Sequence, residues 1–392
     1  MLETRRRFEA AEYAERQQKT RAAMVREGID VLIVYDPSNM NWLTGYEAWS
    51  FYVHQCVVIG VDGELFWFGR GIDASAANLT TDLPQDDVVA YPDHYVQNPD
   101  QHPMEYLGKV LQQRNLHTRW IGVEKDNYYF SAKAMEGLYK SLPDAEFIDA
   151  TALVNWQRAV KSPQELDYMR RAGKVIESVY QRIMAVAEPG MRKNELAAEI
   201  LHAGTVGTAE HYGDYTAIVP LMGQGVEASA CHLTWDGQPL ANNDGMFLEL
   251  AGAHARYHCP VSRTLYLGQP EQKYRDIEKV IAEGIEVTLA MFKPGNTCGE
   301  VAAAFFDHLQ RHGYEKDNRC GYPIGLSYPP DWGERTMSLR RTDKTVLEEN
   351  MTFHFMPGMW FDDWGFEMTE SLVVTANGGE CLANVPRELL VK

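Results

Sequence analysis

An α/β N-terminal domain followed by an α+β domain with a pseudo-twofold internal repeat is the fold class that this sequence predicts. Three observations carry it. The length of 392 residues is too great for one ordinary domain. Short strands alternate with helices in the first part of the chain, and a helix–break–helix pattern occurs twice in the second part.

In the first part, a helix through residues 16–26 stops at Gly28, and the apolar run 31–35 reads as a buried strand. Asp62-Gly63, between the β-rich segments of residues 56–68, signals a hairpin. Residues 120–124 and 146–149 read as two further strands. Ser162-Pro163-Gln164-Glu165 is a capping box with proline at the first helical position, where its missing N–H removes no bond. Leu166, Met169, Ala172, Ile176, Val179 and Ile183 keep helical spacing behind it until Pro189-Gly190. The junction is therefore expected near Lys161, with domains 1–160 and 161–392.

In the second part, residues 174–204 resemble residues 279–313, each a helix, a Pro-Gly break and a second helix. The breaks lie at Pro189-Gly190 and Pro294-Gly295, and the strand-rich stretches 247–267 and 351–374 follow. Two such halves predict a pseudo-symmetric sheet with helices outside and a site at its centre.

With 45% hydrophobic and 11% aromatic residues the chain can bury a large core. A net charge of −18 argues against nucleic acid or an anionic membrane as partner and suits a cationic or zwitterionic substrate. The N-terminal stretch MLETRRRFEAAEYAERQQ is charged and is not expected to be a signal peptide. No run approaches the roughly 18 apolar residues of a membrane span. Cys56, Cys231, Cys259, Cys298, Cys320 and Cys381 form no CxxC pair and read as reduced thiols of a cytoplasmic protein.

Five segments carry a family resemblance. Residues 41–46 (NWLTGY) are similar to the motif NxxYLTGY, and residues 161–165 (KSPQE) to the entry of a catalytic domain. His232, ahead of Leu233-Thr234-Trp235, falls where a substrate-facing histidine is kept. Residues 257–264 (YHCPVSRT) resemble YxSDxTRT, and residues 321–325 (GYPIG) resemble GHGIG. All five resemble the pita-bread superfamily of creatinases, prolidases and methionine aminopeptidases. That resemblance implies a creatinase-type N-terminal domain and a pita-bread catalytic domain.

Its metal-dependent members bind two ions through Asp, Asp, His, Glu and Glu. Carried over one position at a time, the first aspartate becomes Glu249, eleven residues before Pro260 at the second. The histidine becomes Tyr322, the next glutamate Met356, and the last Thr369. Proline and a thioether are no ligands for a hard divalent ion, so neither metal nor any other cofactor is expected. Peptide hydrolysis in this superfamily uses metal-bound water. Without it, the substrate must already be electrophilic, as for creatinase, its metal-free guanidinium hydrolase.

Longer segments, among them residues 36–55, 91–99, 149–162 and 321–340 (GYPIGLSYPPDWGERTMSLR), look like those of ectoine hydrolases over essentially the whole chain. The resemblance implies opening of a cyclic amidine, ectoine or hydroxyectoine, to N-acetyl-2,4-diaminobutyrate. His232 would move a proton, and Glu249 would hold the amidinium or attack its carbon. Glu367 and Glu370 are candidate second carboxylates. Side chains three apart on a strand face opposite ways, and parity with Thr369 favours Glu367 inward. Arg340 is the candidate partner for the substrate carboxylate. Tyr322 is kept with the substrate-binding group. Trp49, Tyr52 and His54 lie on the N-domain stretch that in creatinase-like homodimers reaches the partner's site. Isolated histidines are more often structural, a prior to which His54, His94, His258 and His354 stay nearer than His232 does. A deacetylase acting on the product is a further candidate partner. Two other functions stay open: C–N hydrolysis of a different small zwitterion, and a non-catalytic binding module.

Overall fold

The computed structural model describes residues 6–117 and 119–392, so residues 1–5 of the stretch read for a signal peptide lie outside it. The chain divides into two compact units between Arg158 and Ala159.

The first unit is built on a six-stranded sheet ordered β4-β3-β2-β1-β5-β6. Its strands are β1 (Val31–Val34), β2 (Cys56–Gly60), β3 (Leu65–Arg70), β4 (Val88–Tyr91), β5 (Trp120–Val123) and β6 (Glu146–Asp149). Its helices are α1 (Ala10–Arg26), α2 (Pro37–Thr44), α3 (Ala74–Thr80), α4 (Pro103–Gln113), α5 (Ala132–Ser141) and α6 (Leu153–Gln157). The hairpin β2–β3 turns at Asp62-Gly63, where Gly63 takes φ +119°. Every residue of β1 is buried, and its period-two alternation feeds two cores. Val31 and Ile33 join Phe66, Leu107 and Leu138 on one face, while Leu32 and Val34 join Met40, Trp42 and Trp67 on the other.

The second unit opens with α7 (Pro163–Val186), where the capping box forms as expected. Glu165 N–H donates to Ser162 Oγ (3.2 Å) and Ser162 N–H to Glu165 Oε2 (2.8 Å). There follow α8 (Lys193–Val206), β7 (Leu221–Gln224), β8 (Asp244–His254) and β9 (Tyr257–Leu267), then α9 (Gln272–Leu289) and α10 (Cys298–Arg311). The remaining strands are β10 (Gly321–Tyr328), β11 (Asp331–Gly333), β12 (Thr352–Phe355), β13 (Met359–Trp360), β14 (Gly365–Phe366), β15 (Glu370–Thr375), β16 (Gly378–Cys381) and β17 (Leu390–Val391). Nine of these strands form one sheet, along β16-β15-β12-β10-β9-β8-β7, with β11 on β10 and β17 on β9.

The duplicated pattern is visible here as two helix pairs, α7–α8 and α9–α10, each broken at a left-handed glycine: Gly190 (φ +90°) and Gly295 (φ +93°). Ile277, Ile281, Phe305 and Leu309 of the second pair pack on Phe353, Phe355 and Leu372 of the sheet. On the other pair, α7 lies directly on β8. A Cβ at Gly252 would overlap the Ala172 carbonyl of α7, so only glycine permits the approach.

Candidate active site

A cleft of about 1010 Å³ opens in the second unit, with Glu249, His232, Tyr322, Arg340, Lys316 and Asp331 among its lining. Glu249 comes from the middle of β8, where it pairs with Ser262 of β9 and Leu221 of β7. It is 5% exposed. Burial first, and then the charge of Asp331, push its carboxyl up to about 7. Glu367, between β14 and β15, is 1% exposed and is not itself among the residues that line the cleft; the Ser262 hydroxyl lies beside its carboxyl. Burial and then the Glu249 charge hold it well above the usual carboxylate range. The Glu249 charge thus favours the protonated form of the Glu367 carboxyl.

The other expected residues fall into three groups. His232 and Arg340 line the cleft and are exposed, on the loop behind β7 and on the turn after β11 respectively. The His232 loop is pinned where Met222 N–H donates to the Leu233 carbonyl (2.9 Å). Glu370 does not line the cleft. It is buried in an ion pair, accepting from Arg263 Nη2 (2.8 Å) and Arg387 Nε (3.0 Å). Regular pairing of β15 begins at Glu370, and the stretch ahead of it runs beside β9, with Met368 bridging Arg263 and Thr369 N–H donating to Ser262 O (3.0 Å). Trp49, Tyr52 and His54 belong to the first unit, and the two aromatics are 58% and 64% exposed. His54 is half-buried, with Nε2 3.1 Å from Nε2 of His102.

Sequence reasoning missed Lys316, Arg319 and Asp331, all on the cleft wall. Lys316 donates to the Gly358 carbonyl (2.6 Å) and lies 4.7 Å from the Trp360 ring centroid. Its burial brings the ammonium down to about 8, against the opposing pull of Cys320 and Glu367. Lys316 and Arg319 sit on an irregular segment whose one signal is the cluster of charges in residues 315–319 ahead of the GYPIG segment, while Asp331 opens β11 inside the quoted segment 321–340 but was not singled out there.

Beyond Glu249, the positions matched to metal ligands hold neutral groups, and two of them, Thr369 and Tyr322, are joined in a line. Ser262 N–H donates to Thr369 Oγ1 (2.7 Å), which lies 2.7 Å from His354 Nε2. His354 Nδ1 is 3.0 Å from the Tyr322 hydroxyl, which also accepts from Trp332 Nε1 (2.8 Å). Pro260 offers no side-chain donor and Met356 a thioether. This set does not supply the oxygen and nitrogen donors of a dinuclear centre. Among the described residues, three His, Asp, Glu or Cys ligand atoms within 4.8 Å of one another occur at Glu283, His308 and His312, none of which lines the cleft. His258 has a structural place, accepting from Ala217 N–H (2.9 Å). No helix among the described residues is long and apolar enough to cross a membrane.

Comparison with known proteins fits this architecture. Residues 167–376 match metallopeptidase family M24, and residues 16–160 match the creatinase/prolidase N-terminal domain. An ectoine hydrolase of Halomonas elongata is 51% identical over 399 residues, covering 100% of both chains. An uncharacterized hydrolase/peptidase of Sinorhizobium fredii is 44% identical and covers 98% of both. Among solved structures, a prolidase from Thermococcus sibiricus superposes with a TM-score of 0.84 at 16% identity, covering 97% of this chain and 99% of its own. A dipeptidase from Pyrococcus horikoshii gives 0.81 at 19%, covering 96% and 100%. At such identities these two speak for the fold alone. By sequence and by architecture, the chain belongs to metallopeptidase family M24, with a creatinase/prolidase N-terminal domain ahead of its pita-bread catalytic domain.

Proposed function

We propose that this chain hydrolyses ectoine, opening the cyclic amidine to N-acetyl-2,4-diaminobutyrate, and does so without a metal ion. The observation that carries the proposal is the buried Glu249–Glu367 pair, set where the matched metal positions hold Pro260, Tyr322, Met356 and Thr369. Two carboxyls short of counter-charge favour a small cation, and an amidinium offers both charge and N–H donors. Its carbon is electron-poor before it binds, so a Lewis acid is not required. The 51% identity to an ectoine hydrolase supports the substrate.

In this reading Glu249 is the acting carboxylate, as base to the attacking water or as nucleophile, with Glu367 as the protonated partner. Oxygen adds to the amidine carbon, one ring C–N bond breaks, and the departing nitrogen leaves protonated as the amine. His232 at the mouth exchanges that proton with solvent, and Arg340 takes the substrate carboxylate. The working form is a homodimer, with exposed Trp49 and Tyr52 of one copy over the cleft of the other. A deacetylase acts next on the product.

The test is incubation of chelator-stripped protein with ectoine, read by NMR as a new acetamide methyl signal. Turnover is expected to be unchanged by stripping. Loss of activity restored only by manganese, zinc or cobalt would overturn the metal-free part, and creatine turnover in place of ectoine turnover the substrate.

A pH dependence follows from the raised carboxyls. A bound cation favours their ionised forms and lowers their pKa, so binding releases protons and tightens as pH rises through about 7. Guanidinium keeps its own charge between about pH 5 and 9. Its inhibition constant is therefore expected to fall across that range in the wild type and to flatten in Glu249→Gln. A pH-independent constant in the wild type would contradict the pair.

A further inference from the structure

We infer that Tyr322 is a donor-only hydroxyl whose proton is aimed into the cleft, at the oxygen newly attached to the amidine carbon, and that His354 is the positioning residue that fixes this direction. The inference rests on the proposed amidine hydrolysis, but its first half follows from tracing hydrogens alone.

A backbone N–H can only donate, so Thr369 Oγ1 accepts from Ser262. Thr369 is fully buried, and among its hydrogen-bonded neighbours the acceptor for its own hydroxyl proton is His354 Nε2 at 2.7 Å. Nε2 is then the bare nitrogen of the ring. Nδ1 carries the proton and donates to the Tyr322 oxygen at 3.0 Å. Trp332 Nε1 can only donate as well, and it reaches the same oxygen at 2.8 Å. Both lone pairs of that oxygen are taken. The opposite tautomer would strand the Thr369 hydroxyl proton inside the protein, a strongly disfavoured outcome. The assigned one leaves only the Tyr322 proton uncommitted, on a residue that lines the cleft.

The surroundings keep the line neutral. Burial, and then Arg319, bring the His354 imidazole down to about 3, so it does not acquire a second proton. Burial and the Glu249 charge hold Tyr322 as a phenol. With no lone pair to spare, Tyr322 cannot serve as a base beside Glu249. It can only donate. A bound amidinium presents N–H groups, not acceptors, at its reacting carbon. The Tyr322 hydrogen bond therefore forms once oxygen has added there, which is the differential stabilisation that raises kcat.

Two measurements test this. In protein labelled with ¹⁵N-histidine, two-bond proton–nitrogen correlations should assign His354 to the Nδ1–H tautomer; finding Nε2–H overturns the inference whatever the substrate. In steady-state assays on ectoine, Tyr322→Phe should lower kcat by about 10²–10³-fold with KM within about twofold. His354→Asn, which keeps an N–H near the Nδ1 place, should retain more kcat than His354→Leu at matched thermal midpoints. A Tyr322→Phe effect confined to KM would make the hydroxyl a ligand of the substrate carboxylate and overturn its catalytic part. Absence of ectoine turnover in the wild type would remove the proposed function and the acceptor with it, while the tautomer measurement still decides the proton's direction.

Discussion

Glu249→Gln is expected to lower ectoine turnover by about a thousandfold or more while yielding a protein that melts higher than the wild type above pH 7. Glutamine fills the same space on β8 but can neither take a proton nor attack carbon, so the chemical step loses its acting group. The gain in stability follows from linkage. In the folded chain the Glu249 carboxyl titrates near 7, above the roughly 4.3 of an unfolded glutamate, so the folded state binds more protons between those values. Its stabilising contribution is complete below the lower value and is lost as pH rises through the higher one. The wild-type midpoint should therefore decline as pH climbs from about 4 to about 7 and level off above it, and the variant's curve should be flatter. Thermal midpoints across pH, paired with kcat, check both halves. A variant with wild-type kcat would remove Glu249 from the chemistry.

Glu370→Ala should do the reverse, costing about 3–5 kcal/mol of stability while sparing turnover in the molecules that remain folded. Arg263 is fully buried, and all five of its N–H donors are placed. Nε meets Pro386 O (2.7 Å), Nη1 meets Ser262 O (2.9 Å) and Thr369 O (2.5 Å), and Nη2 meets Val385 O (2.9 Å) and Glu370 (2.8 Å). Glu370 is the counter-charge for that guanidinium and also receives Arg387. Its removal leaves a cation without compensation in the interior. Denaturant titration measures the loss. Unaltered stability with kcat reduced as far as in Glu249→Gln would return Glu370 to the catalytic group.

These two glutamates also mark how far the sequence could be read. The capping box at Ser162, the Pro-Gly breaks and the Asp62-Gly63 turn are local signals, and each produced the expected element. Glu249 was legible because one motif alignment and one strand register name it. Parity along the strand favoured Glu367 inward, but the ion pair that holds Glu370 was not legible, because its partner Arg263 lies 107 residues away on β9. The Tyr322–His354–Thr369 line joins β10, β12 and the approach to β15 through cross-strand pairing. Tyr322 and His354 stand directly opposite each other, a neighbourhood that no local period encodes. For the same reason His354, set aside as an ordinary structural histidine, proved to touch two of the matched positions.

The contact of α7 with β8 at Gly252 bears on how this enzyme's selectivity could be changed. Any side chain there would wedge the two elements apart only three residues from Glu249, and the carboxylate would shift with its strand. The floor of the cleft is therefore a fixed template. A larger or differently shaped ring would have to be admitted by recutting other lining positions, such as half-buried Trp360 and exposed Arg340, which do not carry that helix contact.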